Sequence, residues 1–167
     1  VCDRLRVTTV PAPVMALIYE RTDGHPLFSE ELAFSLRDAG ILSVRDGRCA
    51  LVEGHAAPDA RSLPATIEGI IAGRVDRLDA SEQLTLKVAS VVGRTFASRL
   101  VRDICPIEND RPFLDVHLQT LVAQNLTVSE TPEPEPCFSF RHVITQEVAY
   151  QMMPPTQQKS LHRSVAE

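Results

Sequence analysis

The chain has 167 residues, 44% of them hydrophobic and 23% charged, which is enough apolar material for one ordinary domain or two small ones and too much for a disordered chain. With 17 basic against 22 acidic side chains the net charge is -5, which argues against a general binder of nucleic acid or of anionic membrane surfaces. No apolar run approaches the roughly 20 residues of a membrane span and Val1-Cys2-Asp3-Arg4 is not a signal peptide, so the expectation is a cytoplasmic protein.

Val1 to Val7 reads as the tail of a helix, and because the chain opens without Met it reads as a piece of something longer. Pro11 and Pro13 bar a helix until Pro13 can open one, after which Val14, Leu17, Ile18 and Arg21 repeat at helical spacing up to Gly24. Pro26 suits a first helical position, Glu30 and Glu31 are expected in the first turn where the dipole favours carboxylates, and Phe28, Leu32, Leu36 and Ala39 share a face that ends at Gly40. Such a start is compatible with an ordinary capped core helix. It also exposes unpaired N–H groups beside a rigid proline ring, which together can meet a phosphate or the face of a base.

Two β-prone runs, Ile41 to Arg45 and Arg48 to Val52, flank Asp46-Gly47, a strong two-residue hairpin signal. Residues 54–63, with glycine, proline and alanine and no periodicity, read as a linker. Pro64 is expected to open a helix with Ile67, Ile70, Ile71, Val75 and Leu78 inward and Arg74, Asp76 and Arg77 pointing elsewhere. Asp79-Ala80-Ser81-Glu82 is a capping box for a helix over Ala80 to Val92 with Leu84, Val88 and Val91 inward, ended by Gly93-Arg94-Thr95 with Phe96 plugging the junction. A short helix around Leu100, Val101 and Ile104 precedes a longer one from Asp110 to Asn125, with Phe113, Leu114, Leu118, Leu121 and Val122 inward.

Leu126 to Glu130 and Cys137 to Arg141 are strand-like and are joined by an acidic, proline-rich loop. Helices followed by a two-stranded ribbon give a winged-helix layout. His142 to Met152 is helical, Pro154-Pro155 breaks it, and Gln157 to Glu167 begins another helix. Phe138 and Phe140 alternate as a half-buried strand does and bring Arg141 and His142 to the head of the next helix, where an imidazole can donate to a phosphate oxygen or simply sit at a surface turn.

Gly24-His25-Pro26-Leu27-Phe28, followed by Glu30-Glu31-Leu32, resembles the Gly-x-Pro motif of the STAND class of signalling ATPases, with His25 where Asn is commoner. More narrowly, the chain resembles the segment that follows the nucleotide-binding core in large bacterial proteins combining an adenylate/guanylate cyclase domain, a STAND ATPase and helical repeats. The resemblance runs through Leu84 to Arg94 and Phe138 to Tyr150 and covers nearly all of the chain. It implies that Gly24 and Pro26 pack against a bound adenine. It also implies that His142, beside Arg141, meets the β-phosphate of ADP from a winged helix, although Val143 replaces the family's usual Asp. ATP or ADP would be the cofactor of the parent protein, with magnesium supplied by a core outside this chain. The implied partners are that upstream nucleotide-binding core and downstream helical repeats.

The expected fold is therefore mainly α: a helical subdomain with a hairpin over residues 1–53, a linker over 54–63, a winged helix over 64–152 and the start of a further helical region over 153–167. The sequence contains no G-x-x-x-x-G-K-[ST] phosphate loop and no strand ending in paired acids, so hydrolysis of ATP by this segment alone is not expected, although the parent would be an ATPase and, by the same resemblance, a cyclase. His25, His55, His117 and His162 are not spaced as metal ligands, and Cys2, Cys49, Cys105 and Cys137 read as reduced thiols. Two other readings are a DNA-binding winged-helix regulator and a helical interaction adaptor. The first meets an acidic wing of Glu130, Glu133 and Glu135 and a third helix bearing Asp110, Asp115 and one arginine, Arg111, which oppose phosphate contact.

Overall fold

A computed structural model describes residues 1–5, 7–52, 63–131 and 135–166. Most of them are helical, with two small antiparallel sheets, and they form two compact units, Val1–Arg77 and Leu78–Glu167. Among the described residues no helix is long and apolar enough to cross a membrane.

In the first unit a short α1 (Cys2–Leu5) leads to α2 (Ala12–Thr22), whose Val14, Leu17 and Ile18 are buried as their spacing predicts. Asp23 and Gly24 both take positive φ, which reverses the chain into α3 (Pro26–Asp38). Gly40, at φ +70°, ends that helix region, and the hairpin follows as β1 (Leu42–Arg45) and β2 (Arg48–Leu51). Asp46 and Gly47 both have positive φ at its turn, the twist that two-residue hairpins require. Leu32, Phe34, Leu36 and Leu42 form the core of this unit with Leu17 and Ile18.

The next helix, α4 (Ile67–Val75), starts three residues later than its proline suggests. The Thr66 hydroxyl accepts from Gly69 N at 3.1 Å and caps it, so Pro64 precedes the helix instead of opening it. This helix packs on α3 within the first unit, whereas the sequence places it at the head of the second domain. Ile70 joins the apolar cluster of the first unit, and Arg74 reaches back to the acids of α3. Residues 53–62, most of the expected linker and His55 with it, lie outside the described residues.

The second unit begins with α5 (Ala80–Val92) under the expected capping box: Glu82 N donates to Asp79 Oδ1 at 2.8 Å and Asp79 N to Glu82 Oε2 at 3.2 Å. Its buried face carries Leu86, Val88, Ala89 and Val91, with Leu84 only half buried. The residues expected merely to terminate that helix form a strand, β3 (Thr95–Ala97), followed by α6 (Ser98–Ile104). The long helix expected over Asp110 to Asn125 is a 3-10 turn, Glu108–Phe113, and then α7 (Leu114–Ala123). Pro112 has no N–H to donate, and the change of helical pitch leaves Phe113 59% exposed instead of inward.

Strands β4 (Thr127–Thr131) and β5 (Cys137–Phe140) pair antiparallel, and β3 joins β5 on its other edge, giving a sheet of order β3-β5-β4. The ribbon expected from the sequence is thus three-stranded. Phe96 pairs directly with Phe138, with ring centroids 6.1 Å apart, and packs against Phe140 at 5.6 Å. Helix α8 (Val143–Gln151) follows the sheet, and α9 (Pro155–Ala166) packs on α5 and α6 with Leu161 buried.

Candidate functional site

Gly24 and Pro26 share one tight turn in the first unit. Gly24 sits at φ +72°, where a Cβ would stand 3.2 Å from Tyr19 Cε2, so both the backbone and the neighbouring ring favour glycine. His25 N donates to Thr22 O at 2.9 Å and closes the turn. The His25 ring then caps α3, its Nδ1 accepting from Phe28 N at 3.4 Å, a place where Asn or Ser more commonly serves. Pro26 occupies the first turn of α3, where no N–H is needed. Beneath the turn the Thr22 and Ser29 hydroxyls are buried and hydrogen-bonded to each other at 2.8 Å, and Thr22 also donates to Ile18 O at 2.8 Å.

The turn stands at an open cleft of about 380 Å³ lined by Val1, Met15, Ile18, Tyr19, Gly24, Pro26, Ser29 and Glu30. Tyr19 is 66% exposed, so an aromatic face and a proline ring border the same apolar hollow. Such a cleft suits a flat heteroaromatic ring better than a phosphate, because its walls offer dispersion contact and little positive charge. Tyr19 was not among the residues singled out by motif. The signal available was a large aromatic on the solvent side of an amphipathic helix.

Glu30 and Glu31 are not in the first turn of α3, which is Pro26-Leu27-Phe28, and Glu31 is fully buried. Its Oε2 accepts from Arg74 Nη1 at 2.5 Å, and Arg74 Nε donates to Asp38 Oδ2 at 2.9 Å. Arg74 was expected to point away from the apolar face of α4 and is 2% exposed. Arg37 donates to the other oxygen of Asp38 at 2.7 and 3.0 Å, and the guanidinium carbons of Arg37 and Arg74 lie 5.0 and 5.2 Å from the centre of the Phe34 ring. Burial pushes the Glu31 carboxyl above its ordinary range; the charge of Arg74 and its hydrogen bond oppose this, and Asp38 and Glu30 add to it.

The other two predicted site residues lie in the second unit, at the junction of β5 and α8. Arg141 N donates to Leu126 O at 3.1 Å, which extends the β4–β5 ladder to the junction. His142 takes the extended backbone of an N-cap, and its carbonyl accepts from Thr145 N at 3.0 Å. Both residues are half buried at the head of α8, where the helix dipole presents positive charge. The structure brings Gly24 together with Pro26, and Arg141 together with His142, each pair within its own unit.

Among the described residues no group of three or more His, Cys, Asp or Glu is placed to hold a metal ion. His117 is turned inward, its Nδ1 3.2 Å from Thr85 Oγ1, and His162 Nε2 lies 3.0 Å from the Tyr150 hydroxyl. Arg111, the cation of the expected third helix, donates twice to Cys105 O at 3.0 and 3.2 Å.

A family model described as a domain of unknown function, DUF8739, matches residues 1–50, the stretch from α1 into β2 that includes Gly24 and Pro26. No curated protein and no solved structure matches the chain.

Proposed function

We propose that this chain is the nucleotide-sensing, regulatory segment of a multidomain STAND-type ATPase linked to adenylate/guanylate cyclase signalling. The observation that carries the reading is the Gly24-His25-Pro26 turn. A left-handed glycine, a capped helix start and a proline ring stand at the rim of a cleft that an adenine would fit, beside the exposed ring of Tyr19. The second unit adds support: the order α5, β3, α6, α7, β4, β5 with a sheet of order β3-β5-β4 is compatible with a winged helix, and Arg141-His142 at the head of α8 suits a phosphate oxygen.

In this reading Pro26 and Gly24 contact the base and His142 with Arg141 the phosphates, while the hydrolytic core and its magnesium belong to a preceding domain. Nucleotide exchange then changes how the two units and that core pack, and so the state of an output domain. An adaptor reading is favoured by one observation, the exposure of Phe113 and Val116, 59% and 63%, on the outer side of α7 and the turn before it. The same side bears Asp115, which weighs against DNA as the partner.

The test is a pair of assays on the purified chain. It should show no metal-dependent ATP turnover and no sequence-specific DNA complex in an anisotropy titration at low salt, while a parent chain carrying a phosphate loop binds ADP. Turnover by the segment alone, or sub-micromolar sequence-dependent DNA binding, would replace the proposal with a rival.

A further inference from the structure

We propose that Cys2 and Cys49 form a modification site, a thiol pair that closes to an intramolecular disulfide on reaction with a low-molecular-weight disulfide of the glutathione class. All four cysteines are free thiols in the structure, and these two belong to the same unit while Cys105 and Cys137 belong to the other.

The backbone ties the segment that follows Cys2 to the hairpin that carries Cys49. The Cys2 carbonyl accepts from Val7 N at 3.0 Å, and the next residue, Thr8, donates through its N–H at 2.9 Å and its hydroxyl at 3.3 Å to Gly47 O. Gly47 is the second turn residue of the hairpin, and Cys49 follows two positions later in β2, opposite Val44. Cys49 is buried in the same apolar cluster as Leu5 and Val7, and Cys2, half buried, packs against that cluster. The two sulfurs are also within electrostatic reach: burial first, and then the Cys2 thiol, push the Cys49 thiol above its ordinary value.

A disulfide needs Cα atoms within about 7 Å, and a helix of one turn, buried at Leu5 but only half buried at Cys2, can shift to meet that demand more easily than a core element could. The exposures assign the order of events. The thiolate of the half-buried Cys2 attacks one sulfur of oxidised glutathione and expels one glutathione thiolate, leaving a mixed disulfide. Cys49 then loses its proton to solvent and attacks Cys2 Sγ, expelling the second glutathione thiolate. Two protein thiols are oxidised, one glutathione disulfide is reduced to two thiols, and no other reactant is needed. Because burial raises the Cys49 thiol, its thiolate fraction, and with it the second step, grows with rising pH.

The bond would fix α1 on the hairpin. Val1, adjacent to Cys2, borders the cleft that holds Tyr19, Gly24 and Pro26, and Arg4 Nε donates to Glu30 Oε2 at 3.0 Å across the same edge. Oxidation would therefore set one wall of that cleft, whatever ligand the cleft takes.

The full chain is incubated with oxidised glutathione at mildly alkaline pH, alkylated, digested without reduction and analysed by mass spectrometry. The expected product is a Cys2–Cys49 cross-linked peptide with Cys105 and Cys137 alkylated, reversed by dithiothreitol and formed faster as pH rises. The oxidised chain should melt about 10 °C higher in its first unit. Cys2→Ser should abolish both effects, and because Cys2 is only half buried the reduced variant should melt close to the parent. A stable mixed disulfide at Cys2 with Cys49 left unreacted, or a Cys2 bridge between two chains, would overturn the proposal. No nucleotide enters the assay, so its failure is separate from failure of the nucleotide reading.

Discussion

The two units are held together by different chemistry. In the second, the sheet is backed by the rings of Phe96, Phe138 and Phe140, and its first helix is fixed by a capping box, all contacts that are insensitive to charge state or local in sequence. In the first, the contact of α3 with α4 is built on buried charge, with Arg74 between Glu31 and Asp38 over the Phe34 ring. A buried ion pair contributes little net stability because desolvation offsets the Coulomb gain, but removing one partner leaves a charge stranded. The first unit should thus tolerate neutralisation of its network better than amputation, and the aromatic core of the second should be indifferent to pH where the first unit's charged contact is not.

The largest effect is expected where the aromatic cluster is emptied. Phe140→Ala should destabilise the second unit by about 4 kcal/mol, through lost transfer energy and the cavity left behind. Hydrogen exchange should show the loss in α5, α8 and the sheet, at neutral and mildly acidic pH alike, with α3 and α4 unchanged.

Arg74→Ala comes next, at about 3 kcal/mol in the first unit at neutral pH, because Glu31 and Asp38 are left buried beside each other. Its signature is the pH dependence. The folded Glu31 carboxyl already titrates above its unfolded value, so the folded state holds a proton in the interval between the two values where the unfolded chain does not. Stability from this group is fully present below the unfolded value and is lost as pH rises through the folded one. Without the guanidinium the interval widens, so the variant should regain stability on acidification from pH 7 to 5, measured by urea unfolding with exchange of α3 and α4 amides as the readout. A pH-independent loss would mean that Arg74 acts through packing alone.

Asp79→Ala should cost about 1 kcal/mol, confined to the start of α5, since one capping bond and its reciprocal partner are lost. The smallest change is expected for Glu31→Gln. Burial already opposes the Glu31 charge, so an isosteric amide should shift stability by no more than about 1 kcal/mol and should flatten the pH dependence of the first unit. A loss as large as that of Arg74→Ala would show that the Glu31 charge itself is required.

What the sequence disclosed about the fold followed the range of the interactions. Asp46-Gly47 and the Asp79-Glu82 box act within four residues, and both elements appear where those residues put them. The strand at Thr95–Ala97 was read as a helix stop because three residues carry no period of their own; its pairing partner is β5, with Phe96 opposite the distant Phe138. Phe113 was read inward because the helical phase was carried across Pro112, where the 3-10 turn breaks it. Glu31 was assigned to the first turn of its helix and Arg74 to a side away from the apolar face, since nothing in either neighbourhood announces a partner 43 residues distant. That contact, together with Ile70 in the apolar cluster of the first unit, joins α4 to that unit. Of the site, the Gly24 and Pro26 turn was legible from its backbone demands, whereas Tyr19 gains its place only from how α2 meets that turn.

Calorimetry with ADP and ATP on the parent protein tests most directly the proposal that Pro26 and His142 read different parts of one nucleotide. If the His142 imidazole donates a charge-assisted hydrogen bond to the β-phosphate of ADP, His142→Ala should weaken ADP by about 1.5 to 3 kcal/mol, roughly tenfold to more than a hundredfold, with ATP affected less. Pro26→Ala should weaken both nucleotides about evenly through loss of packing on the base. Unchanged ADP affinity in a stably folded His142→Ala protein would contradict the account and leave His142 as a structural residue at the start of α8.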